Sequence, residues 1–136
     1  LDTASVRQES THTAMNWEVY PQGLTDTLVW LSERTHHLPL YVTENGAAFD
    51  DPPVIGGRVA DQARVAYLRE HLQAVSSAIE QGVNLRGYFA WSLLDNFEWQ
   101  FGYSKRFGLV HVDPSTQKRT LKDSAHWFAE VVQKSR

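Results

Sequence analysis

The run from Leu85 to Trp91 is nearly continuously apolar rather than alternating. A strand of that kind belongs in a parallel sheet covered on both faces, because a sheet with one wet face needs a polar residue at every second position. The preceding segment has the form of a crossover. From about Asp61 to Gln81, residues Val65, Leu68, Leu72, Val75 and Ile79 make one apolar stripe at helical spacing, and Gly82 supplies the stop.

The rest of the chain extends this alternation. Leu1 to Met15 is polar and unpatterned, which predicts a loop or a frayed end. After Pro21-Gln22-Gly23, residues Leu24, Leu28 and Leu31 recur at i, i+4, i+7, predicting a helix that ends near Thr35. Leu40-Tyr41-Val42-Thr43 is a short β-prone run that stops at Glu44-Asn45-Gly46. A loop rich in glycine, proline and aspartate spans Ala47 to Arg58, and Asp50-Asp51 before Pro52-Pro53 has the composition of a turn.

A long aromatic loop runs from Ser92 to about Phe107, followed by a strand candidate at Leu109 to Val112 and a turn at Asp113-Pro114-Ser115. The Thr120 to Asp123 spacing predicts a capped start for a last helix, with the stripe Ala125, Phe128, Ala129 and Val132. Helix, strand, helix, strand, helix implies parallel strands joined by right-handed crossovers, an α/β architecture. Chemistry in such folds collects at the carboxyl ends of the strands.

Composition removes several classes of function. The 136 residues are 42% hydrophobic and 21% charged, as in ordinary soluble domains and unlike disordered or fibrous chains. Thirteen basic residues against sixteen acidic ones, with no basic run beyond Lys105-Arg106 and Lys118-Arg119, leave no electrostatic footprint for nucleic acid. No apolar run approaches the roughly 18 residues of a membrane span, and Leu1-Asp2-Thr3-Ala4-Ser5 has neither a basic start nor an apolar signal core. The absence of cysteine excludes disulfides and thiolate metal sites and fits a reducing compartment, so the expected location is cytoplasmic. His36-His37 diverge at a helix end, His71 and His126 lie on helices, and His12 and His111 match no ligand spacing. No metal and no cofactor is assigned.

Two carboxylates stand where chemistry is expected. Glu44 closes the first strand, and Gly46 gives the backbone freedom to turn there. Glu98 lies between Phe97 and Trp99, an unusual setting for a solvated loop acid. An indole face beside carboxylates and amides suits a sugar, whose CH face stacks while its hydroxyls donate to carboxylate oxygens. Sugar hydrolysis itself requires two carboxylates flanking the scissile bond.

Tyr41-Val42-Thr43-Glu44-Asn45-Gly46 is followed about fifty residues later by Trp91-Ser92-Leu93-Leu94-Asp95-Asn96-Phe97-Glu98-Trp99, then by Gly102-Tyr103 and Arg106-Phe107-Gly108-Leu109. The set closely resembles the carboxyl-terminal part of glycoside hydrolase family 1, the β-glucosidases. The likeness extends from Asn16-Trp17-Glu18-Val19-Tyr20-Pro21 to Val132. It implies a (β/α)8 barrel that hydrolyses β-glycosides with retention. It also implies roles: Glu44 as the nucleophile, Trp91 under the sugar ring, Glu98 gripping distal hydroxyls, Trp99 as an indole N–H contact and Phe107 as an aromatic wall. On that resemblance Glu98 binds sugar and is not the acid/base partner of Glu44.

The family's acid/base lies in an Asn-Glu-Pro motif, which this sequence lacks. A (β/α)8 barrel takes about 250 residues. The expectation is therefore an incomplete barrel: residues 1–136 as the last two or three βα units, one partial domain, completed by an amino-terminal segment that carries the acid. The first residue, Leu1 rather than Met, fits that expectation. The partners expected are that segment and a β-glycoside or small oligosaccharide substrate. The competing readings are a non-catalytic carbohydrate-binding fragment and a structural half-barrel.

Overall fold

The structure, a computed structural model, describes residues 9–134. Helix α1 spans Pro21–Arg34. Pro21 at its first turn has a ring already set to helical φ and no N–H to leave unpaired. The helix ends where His36 and His37 adopt φ of 53° and 60°, and the Thr35 hydroxyl donates to the Leu31 carbonyl at 2.8 Å. Both imidazoles are exposed, and the His37 ring meets the Ser32 hydroxyl at 3.1 Å.

Strand β1, Leu40–Asn45, pairs in parallel with β2, Leu85–Ala90, and helix α2, Gln62–Glu80, is the crossover between them. The core lies between the outer face of this two-stranded sheet and helices α1 and α2. Leu28, Val42, Val75, Ala78 and Val83 form its centre, with Leu40, Leu85 and Tyr88 packed against it. The expectation of a strand covered on both faces holds for one face of β2 only. Phe89, and Tyr41 beside it on β1, are more than half exposed on the other face, because two strands cannot curl round and cover it. The buried face of α2 is also rotated from the sequence stripe: Arg64, His71 and Ala74 are buried with Val65, Leu68 and Val75, whereas Ile79 is exposed.

The last third departs furthest from the reading above. The strand candidate at Leu109 to Val112 forms as β3, Val110–Val112, but it is antiparallel to a strand the sequence does not announce, β4, Arg119–Leu121, and the pair is a hairpin. The turn chemistry at Asp113 is as expected: its Oδ1 accepts the Ser115 and Thr116 amides at 2.8 and 3.1 Å, and those bonds hold its carboxyl below the usual range. Thr120 does not cap a helix; it is a buried residue of β4.

Helix α3 spans Asp123–Lys134. Its amino end is capped from another element by Asp61, beside the start of α2, whose carboxylate accepts the Ser124 amide at 2.9 Å and hydroxyl at 2.6 Å. The predicted α3 stripe is not sealed: Ala125 and Phe128 are half-buried and Ala129 and Val132 exposed. Arg58 grips Asp123 with two bonds of 2.7 Å, and that contact lowers the Asp123 carboxyl and raises the guanidinium from their ordinary values.

Candidate active site

Glu44 is the fifth residue of β1 and exposed at the strand's carboxyl end, while its neighbour Asn45 turns the other way. The Asn45 carboxamide accepts the Tyr88 hydroxyl at 2.6 Å and donates to the Tyr67 hydroxyl at 3.4 Å. Burial raises both phenols, so they remain O–H groups near neutral pH. Tyr67 in turn stacks on His71 with ring centroids 3.9 Å apart, and burial lowers that imidazole. The strand end carrying Glu44 is thus held from the helix side by neutral, hydrogen-bonded groups.

Beyond β2, the Trp91 amide donates to the Asn45 carbonyl at 2.9 Å, bringing the two strand ends together. Gly46 is required for this approach rather than for a left-handed turn. A Cβ built on it would overlap the Trp91 carbonyl oxygen. Gly46→Ala is accordingly expected to cost about 1–3 kcal/mol through overpacking, and a thermal midpoint equal to that of the parent would show that the two backbones separate freely.

The aromatic loop is shaped by its own short bonds. Glu98 and Gly102 close a turn through N–H to carbonyl bonds at 2.7 Å (Glu98 to Gly102) and 2.8 Å (Phe101 to Glu98), around a 3₁₀ turn at Trp99–Phe101. Asn96 Nδ2 donates to Glu98 Oε2 at 3.0 Å. Asp95 anchors the loop from below: its carboxylate, 2% exposed, accepts from the Gly108 and Val112 amides, Lys122 Nζ and the Arg106 guanidinium.

These elements surround one open cavity of about 370 Å³, lined by Trp17, Glu44, Asn45, Gly46, Trp91, Glu98, Trp99 and Phe107. All five residues singled out in the sequence therefore face a common space. Trp99 is the most exposed, at 81%, and Phe107 is buried at the cavity's base. Trp17 was not singled out. Its ring centroid lies 6.0 Å from that of Phe107, and its segment is tied in by the Ala14 amide to the Ala48 carbonyl and by Lys105 Nζ to the Ala14 carbonyl. A second aromatic wall is recognisable in sequence only as one of five tryptophans.

The loops that follow β1 and β2 are joined by an ionic set in which Asp51 takes part, in place of its expected turn role. Lys122 Nζ bridges Asp51 and Asp95 at 2.5 and 2.8 Å, and Arg64 bridges Asp51 and Asp61 at 2.8 and 2.5 Å. With Arg106 on Asp95, three carboxylates face three cations. Among the described residues the one group of metal-ligand type, Asp51, Asp95 and His111, has ligand atoms within 4.8 Å of one another. The Lys122 ammonium already sits between its two carboxylates, so the positive charge such a group would need is in place.

Comparison with known proteins places this arrangement. The model for glycosyl hydrolase family 1 matches residues 2–136. A 1,4-β-D-glucan glucohydrolase of Thermotoga neapolitana is 55% identical over 120 residues, 88% of this chain and 27% of that protein. The β-glucosidase A of Thermotoga maritima is 53% identical over 127 residues, 93% of this chain and 28% of that protein. Among solved structures, the family 1 β-glucosidase from Thermotoga maritima in complex with isofagomine lactam superposes with a TM-score of 0.90 at 53% identity, over 94% of this chain and 29% of the other. The enzyme from Exiguobacterium antarcticum B7 gives 0.91 at 48% identity, over 96% and 29%. The chain spans 27–28% of the length of these two curated relatives, and its architecture is part of a (β/α)8 barrel. With a family model matched along nearly its whole length, the chain belongs to glycosyl hydrolase family 1.

Proposed function

We propose that residues 1–136 form the last two or three βα units of a retaining β-glycosidase of the β-glucosidase type. The segment supplies the nucleophile and the sugar-binding face, and a preceding amino-terminal segment supplies the acid/base. The observation that carries this reading is the shared cavity: Glu44 at the end of β1 opens onto the same space as Trp91, Glu98, Trp99 and Phe107. The substrate class is a terminal β-D-glycoside or small oligosaccharide. Its ring would lie on Trp91, with hydroxyls to Glu98 and to the Trp99 indole N–H and Phe107 closing the apolar side. Each hydrogen bond to the Glu98 carboxylate is worth about 1.5–3 kcal/mol.

In the first step a Glu44 oxygen bonds to the anomeric carbon as the bond to the leaving oxygen breaks, and the acid of the missing segment protonates that oxygen. In the second, the same group, now a base, takes a proton from water. The water oxygen bonds to the anomeric carbon and the Glu44 ester breaks, restoring the starting configuration. Among the described residues no helix is long and apolar enough to cross a membrane. The lack of cysteine fits work in the reducing cytoplasm.

An activated aryl 2-fluoro-β-glycoside tests the assignment, because its leaving group needs little protonation. In the completed barrel, peptide mass analysis is expected to find the fluorosugar on the peptide carrying Glu44. Sugar binding with no labelled peptide would support the non-catalytic binding module instead.

A further inference from the structure

We propose that Asn96 is a positioning residue that sets selectivity for the sugar by holding the Glu98 carboxylate; the inference rests on the glycosidase reading above. Asn96 is not among the residues lining the cavity. What it touches is Glu98: Nδ2 donates to Oε2 at 3.0 Å. The amide is itself oriented. Its Oδ1 faces the hydroxyl of Ser92 at 3.3 Å, a buried residue whose Oγ also reaches the Leu94 carbonyl at 2.6 Å. Its Nδ2 also lies 3.4 Å from the Phe97 carbonyl. On its other side, the preceding residue Asp95 is fixed by four donors.

The consequence is chemical. An unrestrained glutamate on an exposed loop spreads over several rotamers and must be ordered anew by each substrate. A donor on Oε2 fixes the plane of the carboxylate and leaves Oε1 and the remaining lone pair of Oε2 for sugar hydroxyls. The Asn96 contact therefore matters only for substrates that present the hydroxyls Glu98 accepts, which makes Asn96 a determinant of selectivity rather than of rate in general.

The experiment compares kcat/KM of the completed enzyme on a 4-nitrophenyl β-D-glucoside with its 4-deoxy and 6-deoxy analogues. It uses the parent, Asn96→Ala, the similarly sized, uncharged and donor-free Asn96→Leu, and Glu98→Gln. Loss of one charge-assisted bond predicts a fall of roughly tenfold to a hundredfold on the glucoside for the Asn96 variants. The fall on at least one deoxy analogue is expected to be much smaller, so the glucoside preference shrinks as it does for Glu98→Gln. Should Glu98→Gln shift the preference while both foldable Asn96 variants leave it unchanged, or lower all substrates by one common factor, the positioning role is wrong and the glycosidase reading stands. Should Glu98→Gln itself leave the preference unchanged, the reading of Glu98 as the hydroxyl grip fails and this inference fails with it. If alanine at position 96 does not fold, the leucine variant carries the comparison.

Discussion

Glu44→Gln in the completed barrel is expected to lower kcat by about 10⁴-fold or more, the scale on which covalent catalysis is lost when its nucleophile is removed. The amide keeps the size of the carboxylate but cannot form the glycosyl ester, and on the reading proposed above Glu98 grips sugar hydroxyls and does not replace it. Folding should be spared. The substitution conserves the side chain's volume at a strand end that opens onto the cavity, so its effect on stability should stay within about 0.5 kcal/mol. The diagnostic is the pair of readouts together, a parental thermal midpoint with turnover gone. Glu44→Gly extends the test, because the space it opens admits azide. Attack from that face by the small anion should yield a glycosyl azide of inverted configuration, and an azide product of retained configuration would place the nucleophile elsewhere.

Lys122→Met is expected to act in the opposite way, on stability before chemistry. Lys122 is fully buried between Asp51 and Asp95, and its removal changes three carboxylates facing three cations into three facing two. Breaking a buried pair from one side costs about 3–5 kcal/mol, because the remaining charge is left desolvated and underpaired. Methionine nearly fills the volume, so the loss reports charge rather than a cavity. Combining it with Asp51→Asn restores neutrality, and the double variant should lose less than the sum of the two singles, a coupling of roughly 0.5–3 kcal/mol. Denaturant unfolding would measure all three. A Lys122→Met protein within about 0.5 kcal/mol of the parent would mean the ammonium contributes nothing net.

How far the sequence could be read follows from the range of each signal. Helices α1 and α2 announce themselves by their apolar periodicity, β1 by a short β-prone run and β2 by a continuous apolar one, and their order implies the parallel pair. Strand β4 does not: three residues are too few to show alternation, and Thr120 and Asp123 imitate a helix cap. The true cap of α3, Asp61, lies 63 positions away from Ser124. The ionic set is equally silent, since Asp51 and Lys122 meet across 71 positions and each looks like a solvated charge in its own segment. The candidate site was legible as two aromatic and acidic motifs, and the resemblance supplied their roles. Trp17 escaped because its place depends on backbone bonds to Ala48 and from Lys105.

That ionic set also bears on how the enzyme could be rebuilt. Asp51 belongs to the loop that follows the Glu44 strand, and Asp95 to the loop that carries Glu98, yet one ammonium from the β4–α3 junction is bonded to both. The two loops are therefore not separate modules. A chimaera that imports the aromatic loop from a relative with another residue at position 95 would leave Lys122 sharing Asp51 with Arg64 as its one remaining carboxylate, and would loosen the loop beside Glu44 at the same time. Grafts that carry residues 51, 61, 64, 95, 106 and 122 together respect the seam along which this part of the barrel can be exchanged.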